Sequence, residues 1–436
     1  MSSSSPKPAH RSKKSRKKRA KKSVRIAGIT LLLAVVCLSA FLIYQTLAKS
    51  GKTAPESSDP KTAMQSSSGN NAQSTSASAA SAAPEPVKIT AIGDVLLEEP
   101  ILNYFGSGDW KDYMDDIRPI LQEDDLTIAN QEVPIGGEEL GIEGIDFQFN
   151  SPNATAKNLA DTSIEFVSLA NNHAMDRGLQ GIINTEANLD AAGIGHTGAY
   201  SSEEEAGSFE IREINGMKIA ILSTTYGTNK PVDPAWSVNV FQSVYSDASD
   251  KIIADIQEAK KQADAVIVCV HWGIEFTYEL SDEQTILSQA MADAGADVII
   301  GNHPHCIQPA EWLTRPDGSK TLCFYSLGNF IASAYEVDRA SELFQNMYEV
   351  GAMAQFTLTP VENGTRVTVE DVQLIPIVNH FEGDYSYYRL MPLKDYSEDL
   401  AAKHDQRSFS DQFTLETLKD QVHQVFDPSG IPILLD

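Results

Sequence analysis

"VIIGNHPHCIQP", residues 298–309, carries the pattern on which the fold turns. Val298, Ile299 and Ile300 read as a short buried strand, and Gly301-Asn302 as the turn leaving its C-terminal end. His303 and His305 stand one residue apart in a chain with only nine histidines. They fall on the loop where open α/β sheets place their ligands. Taken alone, the pair reads as two solvent-facing loop histidines, so the rest of the chain has to decide.

The same grammar recurs. "VKITAIGDVLL" (87–97), "LTIAN" (126–130), "FVSLANNH" (166–173), "KIAILST" (218–224), "AVIVCVHWG" (265–273) and "DVIIGNHPH" (297–305) all look like buried strands. Amphipathic stretches such as Gly178–Ala192 and Asp282–Ala294 lie between them, and strands alternating with helices argue for an α/β domain. What ends these strands is polar. Asp94 closes the first, Asn130 and Glu132 the second, and Asn171, Asn172 and His173 the third. His271 closes the fifth with Glu275 just beyond, and His303 and His305 follow the sixth.

The C-terminal ends of strands in one parallel sheet converge on one rim, which would bring these groups together. A mixed oxygen and nitrogen set suits Zn, Mn or Fe better than a Ca or Mg cage. A one-residue spacing also lets two imidazoles of one loop serve two neighbouring ions. His10, His196, His380, His404 and His423 read as solvated or structural, and Trp272 and Phe276 as core aromatics. Cys306 and Cys269 read as small buried hydrophobes. Beyond "LCFYSLGNFI" (322–331) the pattern changes to alternating segments around "ENG" (362–364), which predicts a hairpin packed on the same domain. The last forty or so residues are polar and helical in tone.

Charge is unevenly spread. The chain has 34 Lys and Arg against 60 Asp and Glu. Eleven of the basic residues, and no acid, fall in residues 1–25. Ile26–Leu47 is uncharged throughout and long enough to span a bilayer core of about 20 residues. The basic flank orients residues 1–25 to the cytoplasm, and no small-residue cleavage site follows Leu47. The expectation is an uncleaved single-pass anchor in the cell membrane with everything beyond it extracytoplasmic. Residues 48–86 are Ser-, Ala- and Pro-rich and predict a disordered linker. The apolar span behind the basic tail argues against nucleic acid as its partner, and the acidic remainder against tight, broad contact with a polyanion.

"GDV", "NQE", "SLANNHAMDRG", "HWGIE", "GNHPH" and "SLGNF", in this order, resemble the CapA family of capsule and poly-γ-glutamate synthesis proteins, which is related to the calcineurin-like metallophosphoesterases. The resemblance covers roughly residues 87–335, leaving 336–436 as an extension. It implies a four-layer α/β/β/α sandwich of metallophosphoesterase type with a metal site of one or two divalent ions at the strand ends. Carried over residue by residue, it makes Asp94, Glu132, Asn172, His271, His303 and His305 metal ligands, with Glu132 in the place of a bridging Asp. It makes His173 the catalytic proton donor to a leaving group. Glu275 and Asn329 would orient ligands from behind. One departure stands out: the phosphoesterase Asp-x-His becomes Asp94-x-Leu96, so one metal position lacks its histidine.

Three functions follow as expectations. The first is an anchored component of poly-γ-glutamate synthesis or export, with polymer synthase or export membrane proteins as partners. The second is an independent extracytoplasmic metal-dependent hydrolase of phosphoester or amide bonds in an anionic polymer or the cell wall. The third is a non-catalytic binding protein that keeps a structural metal.

Overall fold

The computed structural model describes residues 83–435, apart from 107, 146–147, 246, 334–345, 362–365 and 384. The basic tail, the apolar span 26–47 and nearly all of the linker lie outside the described residues. Among the described residues no helix is long and apolar enough to cross a membrane.

The fold is mixed α/β with two mixed sheets. The first contains β1 (Val87–Val95), β2 (Leu126–Gln131), β3 (Phe166–Ser168), β4 (Gly195–Thr197), β11 (Asn329–Ile331), β12 (Val350–Pro360), β13 (Val367–Glu382) and β14 (Tyr387–Pro392). Its order is β14-β13-β12-β1-β2-β3-β4, with β11 also paired to β1. The second contains β5 (Glu210–Ile214), β6 (Met217–Thr225), β7 (Ala265–His271), β8 (Val298–Asn302), β9 (Ile307–Thr314) and β10 (Lys320–Leu327). Its order is β5-β6-β7-β8-β10-β9. Each sheet has a parallel block, β1 to β4 in one and β6-β7-β8-β10 in the other, continued by antiparallel strands.

The strand pattern by itself suggests one parallel sheet; there are two, as the family resemblance implies with its two β layers. After β4 the chain passes through the exposed acids Glu203–Glu205 and opens a new sheet with the β5–β6 hairpin. Strands of either sheet bury both faces and so look alike in sequence. The third strand is also shorter than its apolar run suggests, because residues 169–173 have already left it. The segments flanking "ENG" pair antiparallel as β12 and β13, while residues 362–364 lie outside the described residues. This hairpin continues the first sheet through β12–β1 pairing rather than packing on its face.

Side-chain alternation explains the packing. On β7, Ala265, Ile267 and Cys269 face the layer between the sheets, and Val266, Val268 and Val270 face outward. The inter-sheet layer also takes Ile89, Ile128 and Phe166 from the first sheet, with Ile219 and Ile300 from the second. Outside the first sheet, a second apolar layer joins Ile92, Ala129 and Val167 to helices Glu99–Phe105, Ala154–Asp161 and Gly178–Ala192. Outside the second sheet, a third layer joins Val268 and Ile299 to helices Asp247–Gln262 and Asp282–Ala294. The last of these helices starts on a capping box, Ser281 with Gln284, and ends at Gly295 in the left-handed region, as sequence rules for helix ends require.

Candidate metal centre

The inter-sheet layer is apolar along most of its length and turns polar at one end. Extending the alternation of β7 by one step puts His271 on the inner face, just beyond Cys269. The same step takes Ile128 to Asn130 on β2, and Ile300 to Asn302 on β8. Phe166 leads likewise to Ser168 on β3, whose hydroxyl lies 2.6 Å from that of Ser223 on β6, directly across the gap.

On β1 the alternation needs help. Ile92 and Val95 both pack outward although three residues apart, and the register shifts between Ala91 and Asp94. This irregularity re-aims Asp94, as β-bulges commonly do near functional sites. Gly93 makes it feasible, since a Cβ there would lie 1.9 Å from the Gly328 carbonyl. Asp94 ends in register with Asn130 on one side and Asn329 on the other.

These groups form a tight, buried cluster. Asn130 Nδ2 donates to Asp94 Oδ1 at 2.7 Å and lies 3.4 Å from His271 Nδ1. His271 Nε2 lies 2.9 Å from Asn172 Oδ1 and 3.6 Å from Glu132 Oε1. His305 Nδ1 lies 3.1 Å from Asn329 Oδ1 and 3.2 Å from Asp94 Oδ2, and its Nε2 is 3.7 Å from Glu132 Oε1. The rings of His271 and His303 are 4.7 Å apart, and Tyr226 packs 4.8 Å from His303. His303 and His305 both hold positive φ, +102° and +53°. Such conformations cost about 1–3 kcal/mol each in non-glycine residues and concentrate at functional sites.

Two sets of three ligand atoms within 4.8 Å of one another can be drawn inside: Glu132–His271–His303 and Asp94–Glu132–His305, sharing Glu132. A third, Glu275–His303–His305, reaches the surface. The fit to a cation rests on buried atoms with nothing to bond. Among the described residues, both carboxylate oxygens of Glu132 and Nδ1 of His303 have no hydrogen-bond partner. Leaving such groups unpaired is expensive, and a metal ion would satisfy them.

Electrostatics tell the same story for the metal-free site. Burial, then the Asp94 charge, pushes the Glu132 carboxyl well above its ordinary range, partly offset by His305. Burial and the other imidazoles hold His271 well below its ordinary value. Burial, then His305, pushes His303 down to about 3. Burial also opposes charge on His305, but Glu132 and Asp94 outweigh it and carry its pKa up to about 10. The metal-free cluster therefore retains a proton between its acids and His305 that a cation would displace.

His173 sits beside this cluster in a separate setting. Its Nδ1 donates to Asp176 Oδ2 at 2.7 Å, and Phe149 N donates to the same oxygen at 2.9 Å. Its backbone N–H donates to Asn171 Oδ1, and its Nε2 lies 3.5 Å from Asn229 Nδ2. The Asn229 N–H in turn donates to Asn172 O at 2.7 Å, so a second-sheet loop grips the first-sheet loop.

All six metal candidates from the sequence thus meet at one rim, with His173 beside them and Asn329 bonded to His305. Glu275 is exposed and belongs with His303 and His305. Trp272 is buried, donating its indole N–H to Tyr325 O, whereas Phe276 is 39% exposed and faces His305. Cys306 is buried, with its thiol on Thr277 O. Sequence reasoning missed Asp176 and Tyr226. The "HAMD" spacing from His173 was the available signal for the first, and the end of the fourth strand for the second.

The bacterial capsule synthesis protein family PGA_cap matches residues 88–334, which include every one of these site residues. The chain is similar to the PGA biosynthesis protein CapA of Bacillus subtilis (strain 168), at 34% identity over 255 residues, 56% of this chain and 63% of that protein. It is similar to the capsule biosynthesis protein CapA of Bacillus anthracis, at 29% identity over 255 residues, 57% of this chain and 60% of that protein. The chain therefore spans a little under two thirds of the length of these relatives. Among solved structures, a hypothetical protein from Thermus thermophilus aligns with a TM-score of 0.39 and 18% identity, over 70% of this chain and 100% of that one. With more than half its length matched, and the buried cluster inside the match, this chain belongs to the PGA_cap family of bacterial capsule synthesis proteins.

Proposed function

We propose that this protein is a membrane-anchored, extracytoplasmic component of poly-γ-glutamate capsule synthesis or export, acting through a divalent transition-metal centre of Mn, Fe or Zn. The observation that carries the reading is the convergence of Asp94, Glu132, Asn172, His271, His303 and His305 on one rim, with buried ligand atoms that lack partners. Support for the capsule role comes from the family and from relatives named for PGA and capsule biosynthesis. The three apolar layers favour reading the domain as a four-layer α/β/β/α sandwich of metallophosphoesterase type. The anchor is Ile26–Leu47, and polymer synthase or export membrane proteins are the partners that such a place implies.

Asp94, Glu132 and His305 would hold one ion, and Glu132, His271 and His303, with Asn172 beside them, a neighbouring one. When bound, a metal of this kind polarises a scissile carbonyl or phosphoryl group and activates water. The protein's own residues do the rest. Asp176 fixes the proton on His173 Nδ1, so that Nε2 is the atom at which His173 exchanges a proton with a leaving group. Asn130 and Asn329 hold Asp94 and His305 in place. The second reading, an independent hydrolase of phosphoester or amide bonds, uses the same groups on a different substrate. A binding protein with a structural metal would need the ligands but not His173.

The test is complementation of capsule polymer in cells lacking the protein. Asp94→Ala should lower both metal content and polymer. Normal polymer from a stably expressed Asp94→Ala protein would reject the reading. For the topology, protease added to intact cells should remove residues beyond 86 and spare the N-terminus. Soluble full-length protein in the medium would reject the anchor.

A further inference from the structure

Position 96, where the related phosphoesterases carry a histidine, is occupied here by a leucine buried in the apolar layer outside the first sheet. Its backbone N–H is committed to Ile331 O. Nothing on β1 therefore offers a second donor to an ion held by Asp94. Across the cleft, the turn after β7 carries a further carboxylate, Glu275. Gly273 takes φ +91°, where a Cβ would press on the Gln284 side chain at 2.8 Å. Phe276 takes φ +59°, donates its N–H to Pro304 O at 2.9 Å, and lays its ring 6.0 Å from that of His305. These contacts lock the 273–276 turn onto the loop that carries both histidines.

The turn brings a Glu275 carboxylate oxygen and one ring nitrogen each of His303 and His305 to within 4.8 Å of one another. Donors about 2.0–2.2 Å from one ion lie at most about 4.4 Å apart, so a few tenths of an ångström of closure suffices. Glu275 is exposed, with three rotatable bonds to make that adjustment. A role as an orienter of a ligand histidine does not fit, because an orienter hydrogen-bonds the ring nitrogen opposite the metal. On His305 Nδ1 is already bonded to Asn329 Oδ1, and among the described residues Glu275 hydrogen-bonds neither imidazole. Resting on the metal-centre reading above, the geometry points to Glu275 as a direct ligand that reaches in from the solvent side to an ion it shares with His303 and His305. Being the one exposed ligand, it is also the one that an incoming carboxylate or phosphate oxygen displaces most readily.

The experiment is a cobalt(II) titration of the metal-stripped full-length chain, read by elemental analysis after desalting and by visible absorption. Wild type should take up two ions per chain. Glu275→Gln should retain one, with affinity for the second weakened by at least about 100-fold and its absorption bands lost. Glu275→His should restore the second ion with shifted bands, since an imidazole replaces an oxygen donor. Two ions and an unchanged spectrum in Glu275→Gln would overturn the assignment while leaving the metal centre intact. No uptake by wild type would overturn both.

Discussion

The two sheets bring different chemistry to the same rim. The first contributes oxygens, from Asp94, Glu132 and Asn172. The second contributes nitrogens, from His271, His303 and His305. Neither set resembles a finished site by itself. Two carboxylates and an amide on one sheet would draw hard cations weakly, and three imidazoles on the other would compete with protons. Only the apposition of the two inner faces yields the mixed donor set that suits a transition metal. The centre thus reports on sheet-to-sheet packing as much as on its own residues.

The sharpest way to probe this division is a residue that belongs to the first sheet's rim but ligates nothing. His173→Ala should leave metal content near that of wild type and still reduce polymer synthesis, because loss of a general acid costs about 10²–10⁴-fold in rate. Normal complementation would place the protein among binding proteins with a structural metal. Next in size is the dry part of the shared layer. Phe166 is fully buried between the sheets, and Phe166→Ala should cost about 3–5 kcal/mol, seen as a lower denaturation midpoint. If metal uptake survived in a chain so loosened, the dependence of the centre on apposition would be weaker than argued.

Much of this was legible before any coordinates, for a specific reason. A buried strand that ends in Asp, Asn or His contradicts its own apolar pattern, and that contradiction marked Asp94, Glu132, His271, His303 and His305. Helix limits at Gly178–Ala192 and Asp282–Ala294 were equally plain from periodicity and flanking glycines. The division into two sheets was implied by the family resemblance but not legible in the strand pattern, because β2 and β7 present the same alternation whichever sheet they join. Asp176 and Tyr226 were hidden by being ordinary residue types on loops, and the place of Glu275 beside His303 and His305 by its exposure. The bulge before Asp94 is a register effect, visible only once β1 has neighbours.

Smaller effects refine the comparison. His305, with its pKa up to about 10, and Glu132, shifted above its ordinary range, hold a proton between them that must leave before both can ligate. Protons therefore compete with the metal, and affinity should fall as pH falls from 8 to 6, by about tenfold per pH unit for each proton displaced. Proton release into weak buffer on metal addition checks the sign, and pH-independent affinity would contradict it. Smaller still is the Ser168–Ser223 bridge between the sheets. Ser223→Ala should cost about 0.5–1.5 kcal/mol, with metal content unchanged.

The most direct measurement removes the second sheet's contribution from one loop. His303→Ala combined with His305→Ala takes away two nitrogens at two strained backbone positions, while leaving every strand in place. Elemental analysis of the purified full-length chain should find at least one transition-metal ion in wild type and essentially none in the double variant, at a similar denaturation midpoint. Full metal content in a folded double variant would show that the ion is held elsewhere, and that the two sheets do not build the centre jointly.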